Sequence, residues 1–252
     1  MADFTFQLYS DIHLEFYKSF PKIKPTADYL FLAGDIGIIT QPNFTTFFDY
    51  CSENWKHVFY ILGNHEYYNK KSYSKLNTMY KTLFEKYNNI HLLDNSSYEI
   101  DNIKIIGSTL WSLPSYTYGL NDFEKIKIFN GNRKVNISLE EFHELHNNSK
   151  TYLLNEINNT TKKMIIITHF PGTQYKTSSP IYDNQPIETK NYFASNIIDE
   201  INSNDNILCW LFGHTHYSTS LTYNNIKLYS NQMGYPGEQE DTNFDISGRF
   251  VV

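Results

Sequence analysis

The sequence predicts a layered α/β fold built as one domain over residues 1–252. Short apolar runs of strand length alternate with amphipathic stretches of helix length along most of the chain. The length of 252 residues suits one α/β domain, or one domain with an insertion. Late in the chain, two strand-like segments flank Asn224-Asn225 and indicate a hairpin. The sheet is therefore expected to be mixed rather than purely parallel.

The predicted elements follow from local pattern. Period-two alternation predicts the first strand, continuous apolar runs predict buried strands, and apolar residues spaced three or four apart predict helices. Strands are expected at Phe4–Tyr9, Tyr29–Ala33, Val58–Leu62, Tyr98–Ile100, Ile103–Gly107, Met164–Thr168, Ile207–Phe212, Ser218–Tyr223 and Lys227–Ser230. Helices are expected at Phe44–Asn54, Tyr73–Tyr87, Leu139–Ile157 and Tyr192–Ile201.

Two stretches interrupt the alternation of strands and helices. Residues 112–140 are rich in Tyr, Asn and Lys, and residues 173–190 form a long loop that contains two prolines. Loops of this length in a compact domain are commonly lids or binding surfaces, so we expect a cap-like insertion and a lid-like loop. Disorder is the alternative for both.

Composition restricts the function classes. The net charge is −6, and only two of the 21 basic residues are arginines, which argues against a protein built to grip duplex nucleic acid. Arginine is also the residue that usually binds phosphate, through its planar guanidinium group. Because arginine is scarce here, any phosphate chemistry needs another source of positive charge. No apolar run is long enough to span a membrane. The two isolated cysteines and the lack of a secretion signal indicate a cytoplasmic protein.

Five predicted strands each end in a polar residue that can bind metal. In open α/β sheets, the ligand crevice lies beyond the carboxyl ends of the strands, so these side chains can converge. Imidazole, carboxylate and amide oxygen form a nitrogen and oxygen donor set without thiolate, which suits Mn²⁺, Fe, Zn²⁺ or Co²⁺. Any one element alone is common by chance, but all five in chain order indicate a site. The candidates are Asp11, His13, Asp35, Asn64, His65, Glu66, His169, His214 and His216.

These elements resemble the five motifs of the calcineurin-like metallophosphoesterase superfamily, over nearly the whole chain. The motifs are Asp11-x-His13, Gly34-Asp35, Gly63-Asn64-His65-Glu66, His169 and Gly213-His214-x-His216. The resemblance implies a four-layer α/β/β/α sandwich of two mixed sheets.

The resemblance also implies roles for individual residues. One metal would be held by Asp11, His13, Asp35 and His216. A second would be held by Asp35, Asn64, His169 and His214, with Asp35 bridging the two ions. His65 would sit beside the reacting phosphate as the catalytic residue.

Further likeness points to a branch of predicted phosphohydrolases whose activities are mostly uncharacterised. It rests on residues 10–15 and 107–111 and on Asn121-Asp122-Phe123. The chain departs from that branch by having Phe170 in place of a second His, and Met233 in place of an Arg before Gly234-Tyr235. Neither position is a metal ligand, so the departures bear on substrate contact.

We therefore expect a phosphoric ester hydrolase with two divalent ions, Mn²⁺ favoured and Fe, Zn, Co or Ni as alternatives. A hydroxide that bridges the ions would attack phosphorus in line, and His65 would protonate the leaving oxygen. Glu66 is a candidate to orient the His65 imidazole, with a surface salt bridge as the alternative. Asp122 is a candidate to support the ligands or to contact substrate. The substrate would be a small phosphorylated molecule or a nucleotide, as a monoester or a diester.

Three other functions compete with this one. A Ser/Thr protein phosphatase would carry arginines in its second and third motifs, and this chain does not. A nuclease of the same superfamily shares all the metal motifs, although the acidic balance disfavours it. A non-catalytic scaffold that binds a protein partner would be expected to lose ligands, and every expected position is filled here.

Overall fold

The computed structural model describes residues 3–100, 102–201, 205–239 and 242–252. The strands are β1 (Thr5–Tyr9), β2 (Tyr29–Ala33), β3 (His57–Ile61), β4 (Ile90–Leu92), β5 (Ser96–Ile100), β6 (Ile103–Ser108), β7 (Lys127–Asn130), β8 (Arg133–Asn136), β9 (Lys163–Thr168), β10 (Ile207–Phe212), β11 (Ser220–Tyr223), β12 (Ile226–Ser230) and β13 (Arg249–Val251). The helices are α1 (Pro42–Asn54), α2 (Tyr73–Phe84), α3 (Asn121–Lys125), α4 (Leu139–Asn158) and α5 (Ile187–Phe193).

Two mixed sheets form the centre of the structure. The first has the strand order β13-β1-β2-β3-β4, with only the β13–β1 pairing antiparallel. The second has the order β11-β12-β10-β9-β6-β5, with antiparallel pairings at both edges. The β11–β12 hairpin around Asn224-Asn225 and the mixed character of the sheets confirm the sequence prediction.

Three apolar clusters bind four layers together. Phe31 of β2 points into the core between the sheets, while its neighbours Leu30 and Leu32 point to the outer face that α1 and α2 cover. On the far side, Leu153 of α4 packs against the outer face of the second sheet. Because the central strands are buried on both faces, they appear in the sequence as continuous apolar runs. The four-layer α/β/β/α arrangement expected from the resemblance is confirmed.

The structure departs from the predicted elements where local pattern is weak. The single helix expected at Tyr192–Ile201 is not formed. Helix α5 begins after Pro186 and ends at Phe193, and Ile197–Glu200 form a separate 3₁₀ turn. Helix α5 ends there because the Ser195 N–H donates to the Pro171 carbonyl at 3.0 Å, which ties the chain to the loop after β9. Strands β4 and β13 are three residues long and exist through pairing with their neighbours. Such short strands carry no periodicity to detect.

The two stretches expected as a cap and a lid both contain regular structure. Residues 112–140 form α3 and the antiparallel β7–β8 hairpin, and residues 173–190 include a short 3₁₀ turn and the start of α5. Phe123 of α3 is buried against Phe142 of α4, whereas Tyr118 is 94% exposed. Part of the first stretch therefore packs on the core, and a capping role for either segment stays a prediction. Within the described residues, no helix is both long and apolar enough to cross a bilayer.

We expect Phe31→Ala to lower the free energy of unfolding by about 3–5 kcal/mol. Phe31 is fully buried between the sheets, and its ring packs against Phe6 and Phe59 at centroid distances of 5.1 and 5.0 Å. Guanidinium denaturation of metal-free protein measures the change. Tyr118→Ala, at an exposed ring, is the control and should stay within about 0.5 kcal/mol of wild type. Similar losses in both variants would contradict the placement of the core.

Candidate metal centre and active site

The carboxyl ends of five parallel strands deliver the expected ligands to one edge of the sandwich. The strands β1, β2 and β3 belong to the first sheet, and β9 and β10 belong to the second, so the site lies where the two sheets meet. All the expected positions converge, and most are buried. The residues that follow these strands are Asp11 and His13 after β1, Asp35 after β2, Asn64 and His65 after β3, His169 after β9, and His214 and His216 after β10.

Asp11, His13 and His216 form the first donor group, with one potential ligand atom from each lying within 4.8 Å of the others. The Nδ1 atom of His13 lies 3.2 Å from Glu15, and Nδ1 of His216 lies 2.8 Å from Glu238. Because a carboxylate only accepts, both Nδ1 atoms carry a proton, and in the neutral rings both Nε2 atoms present lone pairs. The two Nε2 atoms nevertheless face each other at 3.0 Å. Facing acceptors of this kind are the arrangement that a shared cation requires.

Asp35, His169 and His214 form the second donor group on the same distance criterion. His169 donates from Nδ1 to the Ala33 carbonyl at 2.9 Å, so its Nε2 is an acceptor in the neutral ring. That Nε2 lies 2.9 Å from the Asn64 Oδ1, another acceptor. His214 Nε2 is buried and has no hydrogen-bond partner among the described residues. With His169 in the neutral form that a metal ligand requires, the second group also holds lone pairs that lack a positive partner.

Asp35 lies between the two donor groups. Its Oδ2 is 4.0 Å from His13 Nε2, and its Oδ1 is 3.4 Å from His169 Nε2. Burial opposes ionisation of this carboxyl, but the surrounding histidines, His169 foremost, hold its pKa well below the usual range. Burial likewise opposes protonation of His169, but Asp35 and Asp11 raise its pKa to about 9. The pocket thus attracts positive charge, and its donors fit two divalent cations that share Asp35.

The backbone holds these ligands in an uncommon conformation. A positive φ is rare for residues with a side chain and costs on the order of 1–3 kcal/mol each. It persists only where the surrounding structure enforces it, and such outliers cluster at functional sites. Five of the seven expected ligands have it, namely Asp11 (φ 52°), His13 (52°), Asp35 (52°), His214 (77°) and His216 (49°).

Two glycines allow the strand ends to approach closely. A Cβ atom on Gly63 would lie 2.2 Å from Asp35 Oδ1 and 2.8 Å from His169 Cε1. Gly34 has φ 85°, and a Cβ there would lie 2.5 Å from His169 Nδ1. These positions admit no side chain without displacing ligands of the second donor group.

Glu66 does not have the role expected of it. It contacts neither the His65 imidazole nor solvent, because it is fully buried and its carboxylate accepts from backbone N–H groups. The donors are Asp35, Ile36 and Gly63, at 2.8–3.0 Å. One buried carboxylate thereby joins the loop after β2 to the loop after β3 and fixes the backbone that carries Asp35.

Glu15 is the functional candidate that sequence reasoning missed. Its Oε1 lies 3.0 Å from His65 Nδ1 and also accepts from His13 Nδ1. Burial opposes the charge of Glu15, but the hydrogen bonds from the two histidines outweigh burial and lower its pKa. Burial also opposes protonation of His65, while Asp35 and Glu15 raise its pKa to about 8. Its sequence signals are its position two residues after His13 and its place in residues 10–15, which resemble the related branch.

Asp122, a sequence candidate for support or substrate contact, takes the supporting position. It is fully buried, and its Oδ1 accepts from the Asn64 amide at 2.9 Å and from the Tyr68 hydroxyl at 2.7 Å. Because the Asn64 amide nitrogen is engaged in this way, the amide oxygen must face His169.

The two departures from the related branch lie close to the site. Phe170 is fully buried, with its ring centroid 3.9 Å from that of His214. The Met233 N–H donates to the Ser10 carbonyl at 3.0 Å, which holds the segment leading to Tyr235 beside the first motif. The Tyr235 hydroxyl lies 3.2 Å from His65 Nε2.

Comparison with known proteins agrees with this geometry. The sequence model of the calcineurin-like phosphoesterase family matches residues 5–218. An uncharacterised protein, L509 of Acanthamoeba polyphaga mimivirus, is 33% identical over 263 aligned positions, which cover 93% of this chain and 92% of that protein.

Among solved structures, the phosphopantetheinyl hydrolase of Mycobacterium tuberculosis superposes with a TM-score of 0.66. The match covers 98% of this chain and 95% of the hydrolase at 15% identity, so it supports the fold alone. The family match extends over the strand ends that carry all the expected ligands. The chain belongs to the calcineurin-like phosphoesterase family.

Proposed function

We propose that the protein hydrolyses a phosphoric ester with the help of two divalent cations, Mn²⁺ being the favoured metal. Members of the family are typically phosphoester hydrolases. The proposal rests on the observation that two potential hydrogen-bond acceptors face each other in both donor groups. The distance is 3.0 Å between His13 Nε2 and His216 Nε2, and 2.9 Å between His169 Nε2 and Asn64 Oδ1. In their neutral forms these imidazoles and the amide oxygen are arranged to ligate cations. Without a cation, protonation of His169, whose pKa Asp35 and Asp11 raise to about 9, compensates part of the set.

The cations would supply Lewis acidity and positive charge to the phosphoryl group. The chain itself offers no arginine for this purpose, since Arg133 lies in β8 and Arg249 lies in β13. Asp11, His13, Asp35 and His216 would hold one ion, and Asp35, Asn64, His169 and His214 the other. Glu66 and Asp122 keep Asp35 and Asn64 in place through the contacts described above.

His65 is the proposed general acid. It is 9% exposed, at the rim of the donor groups, and Glu15 accepts from its Nδ1. Its Nε2 is therefore the atom that can face substrate, and the Tyr235 hydroxyl lies beside it. With a pKa of about 8, the ring carries a second proton at neutral pH and can deliver it to the leaving oxygen. Glu15 fixes the ring orientation and keeps the proton on Nδ1.

The substrate class that we favour is a small phosphorylated molecule or nucleotide, as a monoester or a diester. The site is assembled from short strand-end turns and leaves His65 at its rim, which suits an ester that enters from solvent. A scaffold without activity would have no use for an imidazole oriented by Glu15 beside the donor groups.

Asp35→Asn should remove both ions, because this carboxylate lies between the two donor groups. We expect wild-type protein reconstituted with Mn²⁺ to hold two ions per chain and the variant to hold fewer than half an equivalent. Mass-spectrometric metal analysis after desalting measures the content. Asp28→Asn, at an exposed aspartate, is the matched control and should retain both ions. Two ions in the Asp35 variant would exclude it as the shared ligand.

His65→Ala should keep its metal and lose turnover by about 10²–10⁴-fold, because the general acid is gone. The assay uses p-nitrophenyl phosphate, its bis-ester and phenyl phosphate with Mn²⁺, and the loss should be largest for phenol, the poorer leaving group. His143→Ala removes a histidine outside the donor groups and should behave as wild type. Unchanged turnover in the His65 variant would remove this residue from the mechanism. Wild-type protein that is inactive on every ester would contradict the proposed function.

Glu15→Gln should lower kcat by about 10–100-fold with little change in KM, because carboxylates behind ligand or catalytic histidines typically have effects of this size. The amide keeps the shape and an accepting oxygen, but it lacks the negative charge that strengthens the hydrogen bonds from both Nδ1 atoms. Metal affinity should also fall, since His13 loses its partner. Wild-type kcat together with wild-type metal affinity would show that Glu15 only fills space.

A further inference from the structure

An uncompensated basic surface lies beside the candidate site. Residues 67–84 contain four lysines, and residues 125–139 contain three lysines and one arginine, with no acidic residue in either segment. The chain as a whole nevertheless has a net charge of −6. The two segments meet in space, because Ser72 pairs with Lys127 in a β-bridge and Lys134 donates from Nζ to the Lys70 carbonyl. Positive charge is thus concentrated at one place on an acidic protein.

Apart from Lys81, the lysines of this surface form no ion pair with a carboxylate of the described residues. Lys81 pairs with Asp94 at 3.1 Å and stands apart from the rest. Lys127 donates to two uncharged oxygens, the backbone carbonyl of Glu124 and the side-chain amide oxygen of Asn136. Among the residues that the structure describes, no carboxylate lies within ion-pair distance of Lys70 or Lys71, and both side chains are exposed.

Lys70 and Lys71 line a surface cavity of about 390 Å³ that is largely open to solvent. Its other polar walls are Thr40, Gln41 and Asn69, so no acidic group faces it. The volume lies in the range of pockets for small ligands, about 300–1,000 Å³. Two ammonium groups with uncharged hydrogen-bonding neighbours are suited to a phosphate, which lysine binds as a point charge.

Tyr68 connects this cavity to the catalytic side. The same ring that lines the cavity lies 4.2 Å, centroid to centroid, from the His65 ring. Its hydroxyl contacts both the Asn64 amide and Asp122. A molecule that occupies the cavity therefore lies one aromatic ring away from the proposed general acid.

We propose that this cavity binds a second phosphate of the substrate, one that is not hydrolysed, with Lys70 and Lys71 supplying the charge. This inference rests on the proposed function and narrows its substrate class to esters with more than one phosphate. A nucleotide with an additional phosphate and a short single strand of nucleic acid share this chemistry. The strand would find an aromatic surface nearby, because Phe129 is 58% exposed and its cross-strand partner is Lys134.

Binding to metal-free protein tests the site without any catalysis. The probes are adenosine 3′,5′-bisphosphate, with adenosine as the reference, and a fluorescein-labelled thymidine pentanucleotide. We expect wild type to bind at least one probe and to bind adenosine more weakly than the bisphosphate. Lys70→Gln/Lys71→Gln should weaken that binding at least tenfold, and for the pentanucleotide it should lower the slope of log K against log salt by about 1.4. Lys70→Glu/Lys71→Glu should weaken it further.

Lys22→Gln/Lys24→Gln is the matched control, because it removes two exposed lysines at the far end of α1, where Tyr50 donates to the Ile23 carbonyl. It should bind as wild type does. Binding of the bisphosphate alone identifies a small-molecule site, and binding of the pentanucleotide alone identifies a strand. The proposal would be overturned if neither probe bound to wild type. It would also be overturned if Lys70→Gln/Lys71→Gln and the control Lys22→Gln/Lys24→Gln bound the probe with equal affinity.

Hydrolysis separates this inference from the proposed function. With Mn²⁺ bound, the ratio of kcat/KM for the probe that binds to kcat/KM for p-nitrophenyl phosphate should fall at least tenfold in Lys70→Gln/Lys71→Gln and stay constant in the control. Lysine-dependent binding without hydrolysis of any ester would contradict the proposed function and leave the phosphate site supported. Hydrolysis with the same kcat/KM ratio in wild type and in Lys70→Gln/Lys71→Gln would support the proposed function and contradict the phosphate site.

Discussion

Buried lone pairs that face one another are the constraint on which the site depends. In their neutral forms, His13 and His216 direct ring-nitrogen lone pairs at each other, and His169 directs one at an amide oxygen, in a pocket that is largely closed to solvent. Without positive charge, such an arrangement would separate or take up protons, and the raised pKa of His169 reflects the second response. Two cations that share Asp35, as proposed, would satisfy the whole set. The fold can then be understood as the frame that brings these groups to one edge of two sheets.

That frame compensates for local strain. Five ligands have positive φ, a conformation that each would leave if the neighbouring backbone did not hold it. Glu66 provides part of that restraint by accepting from three backbone N–H groups across two loops. Gly63 allows the loops to touch. Around the donor groups, Glu15 and Glu238 accept from the Nδ1 atoms of His13 and His216, so these two expected ligands are oriented by carboxylates behind them.

The sequence predicts the fold, and it predicts which polar residues meet at one edge of the sheets, because both depend on strong local patterns. Apolar runs such as Tyr29–Ala33 are buried on two faces, and the polar residues directly after them have only one edge at which to meet. The supporting contacts are different. Glu15 looks like any surface acid in the sequence, and Glu66 adjoins His65 in sequence yet binds the loop of Asp35. Such contacts, like the short strand β13, are made between distant segments and leave no periodic trace.

The most direct test of the proposed two-cation centre is a crystal structure of the protein loaded with Mn²⁺, with anomalous scattering recorded at the manganese edge. For a metal centre shared through Asp35, we expect two anomalous peaks, with Asp35 in contact with both. One should lie among Asp11, His13 and His216 and the other among Asn64, His169 and His214. Absence of anomalous scattering at these residues in metal-loaded protein, or a single peak distant from Asp35, would contradict the two-cation centre.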